Sequence, residues 1–360
     1  MTVCFMILAH SRPQQFLELT RIIKNSGGET VAFIDKKANL QEFETADAHF
    51  VSRRFNVNWG GYSLTRAMQV LLREALQTYP DAHHYIFLSG QDYPARPLTE
   101  YIEYLGREEN RDRCWMNFYA MAPGTQFYTV LKYPRSYDLK ARLGNKVYAL
   151  VQKLWDVYYS RRPRMKYPVQ FYRGSSSWVV SREGALAMVK FLDSNQGKAM
   201  QKFLRKTHVS DEIWGATALL NSSAKEHATN WDTDGQLEPG VMKGENKVYH
   251  HYIDWDPERE NPALLNRGDL EKIDASGKWF IRKVDAELEL DAIEQAVSGL
   301  HDPLYRRILF EKYLQWDCKK DEAILMDLSL SESSYYDILD RALMAFAELY
   351  RNGEQVEILE

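Results

Sequence analysis

Four short segments of this sequence carry side chains suited to group-transfer chemistry. Ser210-Asp211-Glu212 opens a stretch that reads as a helix. A glutamate there, beside Trp214, can serve as a general base if it faces a cleft, since a base must reach the hydroxyl whose proton it takes. Asp211 has a complete local account without chemistry: Ser210 is a natural cap, and acids suit a first helical turn. Arg282-Lys283 follows the apolar anchor Lys278-Trp279-Phe280-Ile281. A forked guanidinium and a compact ammonium both suit a diphosphate, although a solvated strand end would carry the same pair. Asp92, in Ser89-Gly90-Gln91-Asp92-Tyr93-Pro94, reads as a ligand for a ribose, a sugar hydroxyl or a metal, or as an Asx turn before Pro94. Trp59-Gly60-Gly61-Tyr62-Ser63 combines close backbone approach with a stacking face, or is simply a turn with a hydrophobic staple.

Other candidates are weaker. Asp232-Thr233-Asp234 has the spacing of two oxygen ligands for Mn²⁺ or Mg²⁺, but acidic pairs in polar loops are common and real sites need more ligands. Asp254-Trp255-Asp256 receives the same reading, so no metal site is expected. No P-loop and no GxGxxG occurs, which removes motif support for nucleotide hydrolysis or a dinucleotide cofactor.

The elements that must position these groups alternate in type. Val3-Cys4-Phe5-Met6-Ile7-Leu8-Ala9 is a continuous apolar run, as in a strand covered on both faces. A helix is predicted over Pro13 to Lys24, stopped by Gly27-Gly28. A strand over Thr30 to Ile34 ends in Asp35, a helix runs over Ser63 to Gln77 with Ser63 as its cap, and a strand over His84 to Leu88 leads to Asp92. That order implies a mainly parallel sheet, whose C-terminal strand ends (His10, Asp35, Asp92) are where such sheets bind ligands. Residues 111–165, rich in Tyr, Arg and Lys, read as an insertion over the cleft. Order resumes over 168–222, with a strand at Ser177 to Val180 and a helix near Glu183 to Leu192.

Composition bounds the class. With 360 residues, 45% hydrophobic and 27% charged, the chain is globular, with two or three domains or one large domain plus an appendage. The net charge of −4 excludes polyanion binding by bulk charge. Aromatics reach 13%, enough for a core and for walls that stack on sugar rings, a use we assign to Trp59 and Trp178. No apolar run is long enough to cross a bilayer, and Met1 to His10 lacks the flanks of a signal peptide. Cys4, Cys114 and Cys318 form neither a disulfide framework nor a metal knuckle, so a reducing, cytoplasmic setting is expected.

Taken in order, seven segments resemble the core-2/I-branching β-1,6-N-acetylglucosaminyltransferase family, which also includes peptide O-xylosyltransferases. They are Ile7 to His10, Phe33 to Lys37, Trp59 to Ser63, Leu88 to Pro94, Gly174 to Glu183, Ser210 to Glu212 and Phe280 to Lys283. The similarity spans about 1–287 and implies a GT-A-like α/β fold, a mixed but mainly parallel sheet flanked by helices. It also implies inverting, metal-independent transfer of GlcNAc or xylose from a UDP-sugar to an acceptor hydroxyl, with Glu212 as general base and Lys283 at the UDP diphosphate. By the same matching, Leu8, Ala9, His10, Asp35 and Trp59 resemble donor contacts, joined on the donor side by Asp92 and Arg282. Ser175 and Trp178 lie in the segment resembling the acceptor side, and Asp211 is placed with them. A second family arginine, upstream of the lysine, has no clean match here; Arg259 and Arg267 both lie nearby. Animal members are lumenal, membrane-anchored and disulfide-bonded, so the composition here resembles a bacterial, cytoplasmic member.

The end of the chain changes character. Residues 301–360 hold thirteen acidic and seven basic residues, a net of −6, against +2 for residues 1–300. Helices are predicted over 303–315, 320–328 and 332–351, with Ser329-Leu330-Ser331 as a turn. Tyr305 to Leu314, Leu328 to Tyr336, Arg341 to Leu343 and Phe346-Ala347 resemble ArpU-type phage transcriptional regulators, whose helix-turn-helix is similar to sigma-factor region 4. The expected division is therefore 1–287 as the transferase domain and 288–360 as a small all-α appendage. Asp337 and Asp340 fall on the would-be recognition helix, where basic or amide side chains are needed, so DNA binding is expected to be weak or lost. The competing functional reading is a DNA-associated regulator whose larger part only senses a nucleotide sugar. A third is a sugar-binding protein without turnover.

Overall fold

A computed structural model describes residues 2–125, 127–158, 165–229, 250–256, 258–259, 262–284, 297, 299–314 and 319–349. The chain divides into two compact units, Met1–Val284 and Asp285–Glu360, and each is described by itself.

The first unit is built on a seven-stranded sheet. Its centre is β1 (Val3–Ala9), flanked by β2 (Glu29–Ile34) and β4 (His84–Ser89); β3 (His49–Phe50) lies beyond β2. These four strands are parallel, with Leu8 opposite Phe33 on one side and Ser89 on the other. β1 is buried almost throughout, which explains why its sequence is a continuous apolar run and not an alternation. Helix α1 (Pro13–Asn25) turns Phe16, Leu19, Ile22 and Ile23 inward, and α2 (Tyr62–Thr78) buries Ala67, Met68, Leu71, Leu72 and Ala75. β5 (Tyr93–Pro94) and α3 (Leu98–Gly106) follow. The sheet then turns mixed through β6 (Cys114–Trp115). After β7 (Tyr119–Ala120), α4 (Tyr128–Lys132) and α5 (Tyr137–Tyr158) come β8 (Tyr172–Arg173) and β9 (Val179–Ser181). β9 runs antiparallel to both β4 and β6.

Helices α6 (Arg182–Asp193), α7 (Asn195–Leu204) and α8 (Asp211–Leu220) complete the main layer. β10 (Ala228–Thr229) closes the sheet against β6. A small second sheet joins β11 (His251–Ile253), β12 (Phe280–Arg282) and β5, with α9 (Leu270–Ser276) between the first two in sequence. The architecture is the mixed, mainly parallel α/β sheet with flanking helices that the sequence predicts.

Two expected helix caps are replaced by longer-range bonds. Gly61, not Ser63, is the N-cap of α2; Ser63 Oγ instead accepts from the Asn58 amide at 2.8 Å and donates to Asp138 of α5. Ser210 precedes α8 but makes no side-chain cap, because its hydroxyl pairs with Thr65 Oγ1 at 2.7 Å.

The second unit packs α10 (Pro303–Leu309), α11 (Asp321–Asp327) and α12 (Glu332–Leu349) around Ile308, Leu309, Ile324, Tyr335, Leu339 and Ala342. Asp302 caps α10 by accepting from the Leu304 amide at 2.8 Å. No described helix in either unit is long and apolar enough to cross a membrane.

Candidate active site

The parallel strands deliver polar groups to one end of the sheet. The Ala9 carbonyl accepts from the Asp35 amide at 2.8 Å, and the Leu8 carbonyl accepts from Gly90 at 2.9 Å. Leu8 and Ala9, which the resemblance places among the donor contacts, thus join the ends of β1, β2 and β4 through their carbonyls. Asp35 is buried and binds the chain on both sides of β3: its carboxylate accepts from the amides of Lys37 at 3.0 Å and Val57 at 3.3 Å and lies 3.3 Å from Lys37 Nζ. Beyond Val57 the chain reaches Trp59, which is 77% exposed with its ring edge-on to Tyr137 at 5.9 Å. Gly60 has φ +65°, the left-handed region open to glycine. The loop is braced by Asp138, which accepts from Asn58 Nδ2 and the Ser63 amide, both at 2.9 Å.

β12 brings Arg282 and Lys283 to this end. The Val284 carbonyl accepts from Arg12 Nη1 at 2.8 Å, and the Val284 amide donates to the Gln91 carbonyl at 3.4 Å. Asp92 is fully buried; it accepts from the Ser89 amide at 2.6 Å and lies 3.5 Å from His251 Nε2 and 3.8 Å from Arg282 Nη1. Burial alone would raise its carboxyl, but Arg282 and His251 hold it below the ordinary value. This corrects the expectation that Asp92 faces a ligand: its charge is directed at Arg282, inside the fold. Enclosure lowers the His10 imidazole, and Lys37, Arg282 and Lys283 push the same way against Asp35. Four strand-end segments therefore converge, with Lys37, Arg282 and Lys283 on the cationic side and Asp35 and Asp92 as their counter-charges.

Helix α8 supplies the carboxylates. Val209 donates to the Gly60 carbonyl at 2.9 Å, which ties the start of α8 to the Trp59 loop. Glu212 is half-buried, and its Oε2 accepts from Arg173 Nε at 2.8 Å and from Arg173 Nη2. Arg173 stacks over the Phe127 ring at 4.5 Å, while the neighbouring Gly174 amide donates to the Glu212 carbonyl at 2.7 Å. Asp211 is buried, and burial together with the Glu212 charge pushes its carboxyl up to about 7. Arg173 and Arg282 both pull against that rise, so Arg282 is felt by Asp211, by Asp92 and by His10. Asp211 of α8 therefore lies within electrostatic reach of Arg282 at the end of β12.

Not every expected residue lies open there. Trp178 is 3% exposed, stacked on Phe87 at 5.9 Å and edge-on to Trp214 at 5.7 Å, so it is a core side chain and not a stacking wall. Ser175 is half-buried and accepts from the Ser177 amide at 3.0 Å. Arg259 is held by Asp254 and Asp269, each at 2.7 Å. Asp254 is therefore occupied as a counter-ion, and Asp256 accepts from the Glu258 amide at 2.9 Å. Asp232 and Asp234 lie outside the described residues. Arg12, Arg173 and His251 carry no sequence motif that singles them out; the one available signal is that Arg173 adjoins the Gly174 segment.

A family model described as Core-2/I-Branching enzyme matches residues 3–275. A protein of Streptococcus phage O1205 described as an autolysin regulatory protein, ArpU, is 47% identical over 76 residues, 21% of this chain. The chain spans about half the length of that relative, 55%. Among solved structures, a glucose-1-phosphate thymidylyltransferase of Bacillus anthracis in complex with a sucrose matches at 9% identity and TM-score 0.27, over 57% of this chain and 83% of that one. A mannose-1-phosphate geranyltransferase of Thermus thermophilus matches at 13% and TM-score 0.27, over 60% and 71%. At those scores neither adds to the architecture described above.

Proposed function

The chain belongs to the core-2/I-branching enzyme family, a family of glycosyltransferases, and on that premise we propose that it moves GlcNAc or xylose from a UDP-sugar to an acceptor hydroxyl with inversion and without a metal. The observation that carries this reading is Glu212 itself, a half-buried carboxylate at the start of α8 that accepts from Arg173 Nε at 2.8 Å, beside an Asp211 whose carboxyl feels the charge of Arg282. Glu212 takes the proton of the acceptor hydroxyl as that oxygen attacks the anomeric carbon. The bond from that carbon to the diphosphate oxygen breaks, and its electron pair leaves with UDP. Lys283 and Arg282 neutralise the charge that develops on the diphosphate, a role for fixed positive charge that needs no reorganisation during the reaction. His10 and Trp59 are assigned to the donor side, with Asp35 holding the Lys37 and Val57 backbone amides. For its setting we propose a reducing, cytoplasmic one, from the low cysteine count.

For the C-terminal unit we propose a folded appendage with weak or lost DNA affinity. Asp337 pairs with Arg341 at 2.7 Å, which sets an acid beside a cation on the helix that would have to enter a groove.

Purified protein incubated with UDP-GlcNAc or UDP-xylose, an acceptor panel and EDTA tests the reading. UDP release with sugar transfer is expected. Activity abolished by EDTA would contradict the metal-free mechanism, and UDP-sugar binding without any UDP release would leave a binding protein instead.

A further inference from the structure

The ion pair on Glu212 is uneven. Arg173 directs Nε and Nη2 to one carboxylate oxygen, Oε2. Neither Glu212 Oε1 nor Arg173 Nη1 has a hydrogen-bond partner among the described residues. Both side chains remain partly accessible, 31% for Glu212 and 23% for Arg173. The arginine is also firmly built in. Its backbone pairs with Tyr119 across β7 and β8, and its guanidinium rests on Phe127. The pair therefore leaves an acceptor oxygen on Glu212 and a charged N–H donor on Arg173 without partners among the described residues, at a place where one substrate must deliver a hydroxyl.

We propose that Arg173 is an acceptor-binding, specificity-determining residue, and that the acceptor carries a second oxygen next to the hydroxyl that is glycosylated, as on a sugar ring. This rests on the transferase reading above, with Glu212 as base. The attacked hydroxyl donates to Glu212 Oε1, while the neighbouring acceptor oxygen receives a hydrogen bond from Arg173 Nη1. A charged donor facing an absent partner is penalised, so a site of this kind rejects an analogue lacking that oxygen. An isolated hydroxyl on an alkyl chain fills only half of the site.

The test compares a methyl hexopyranoside acceptor with its set of monodeoxy analogues, using the full chain and a UDP-sugar donor, in the wild type and in Arg173→Gln. In the wild type, removing one oxygen adjacent to the transfer site lowers kcat/KM by about 10- to 100-fold. In Arg173→Gln the parent acceptor loses a comparable factor, and the discrimination against that one analogue collapses toward unity. Arg173→Lys, which keeps the charge but not the fork, restores part of it. A merely structural arginine would slow all acceptors alike and leave the ratio intact, which would overturn the inference while sparing the transferase. A wild type that releases no UDP from any donor would overturn the transferase reading and this inference with it.

Discussion

The two units of this chain use charge in opposite ways. In the first, several ion pairs join residues far apart in sequence, and two of them hold Asp92 in the interior. Asp92 meets Arg282 and His251 with its side chain fully buried, and Glu212 meets Arg173 across 39 positions. In the second unit the pairs are local. Arg307 binds Glu311, Arg341 binds Asp337, and Lys312 binds Asp321, all within nine positions. Burying a charge is costly unless it is paired, so a fold that gathers several such groups at one end of a sheet is maintaining something other than stability. Local pairs on helices contribute little and need no such explanation. The contrast points to chemistry in the first unit and scaffold in the second.

The comparison breaks most visibly at Glu212. Glu212→Gln should lower sugar transfer by about 10²- to 10⁴-fold, the usual worth of a general base, with secondary structure by circular dichroism unaltered; retained turnover would remove the base from the account. Lys283→Ala comes next, with an expected loss of about 10²-fold in kcat, as for removal of one group that stabilises transition-state charge, read by steady-state UDP release. Asp92→Asn should act through the fold: uncoupling a buried carboxylate from Arg282 is expected to cost about 3 kcal/mol in denaturant unfolding. Asp211 gives a pH signature. Its folded value, about 7, lies above the ordinary carboxylate value, so the folded chain keeps a proton that the unfolded chain has released. Stability from this group therefore falls as pH rises from about 4 to about 7 and is level above that, and Asp211→Asn should flatten a slope of up to about 1.4 kcal/mol per pH unit. The smallest effect belongs to the second unit: Asp337→Ala, which breaks an exposed pair, should shift unfolding by only about 0.3–0.5 kcal/mol. A larger shift would blur the distinction between the two units.

What can be read from sequence follows from what each signal measures. Continuous apolar runs locate β1, β2 and β4, and the polar residues that end them fall where parallel strands present ligands. The order of seven short motifs identifies the family. What escapes are partners fixed by folding. Arg173 and Arg12 are ordinary arginines until the sheet brings them to Glu212 and the Val284 carbonyl. Residue type also misleads. Trp178 is aromatic enough for a sugar wall, but nothing local reveals that its ring turns inward onto Phe87 and Trp214. Ser63 and Ser210 have the chemistry of caps, yet Asp138 and Thr65 compete successfully for their hydroxyls. Asp92 does follow a strand end, but its burial against Arg282 depends on a strand almost two hundred positions later.

The central claim is that Glu212 and Lys283 serve the two ends of one transfer, base and leaving group. Calorimetric titration of UDP into the wild type, Glu212→Gln and Lys283→Ala, each paired with its rate of sugar transfer, tests it most directly. The account predicts that Glu212→Gln binds UDP as the wild type does while losing transfer, and that Lys283→Ala loses both UDP affinity and transfer. UDP affinity that falls with Glu212→Gln and not with Lys283→Ala would contradict it.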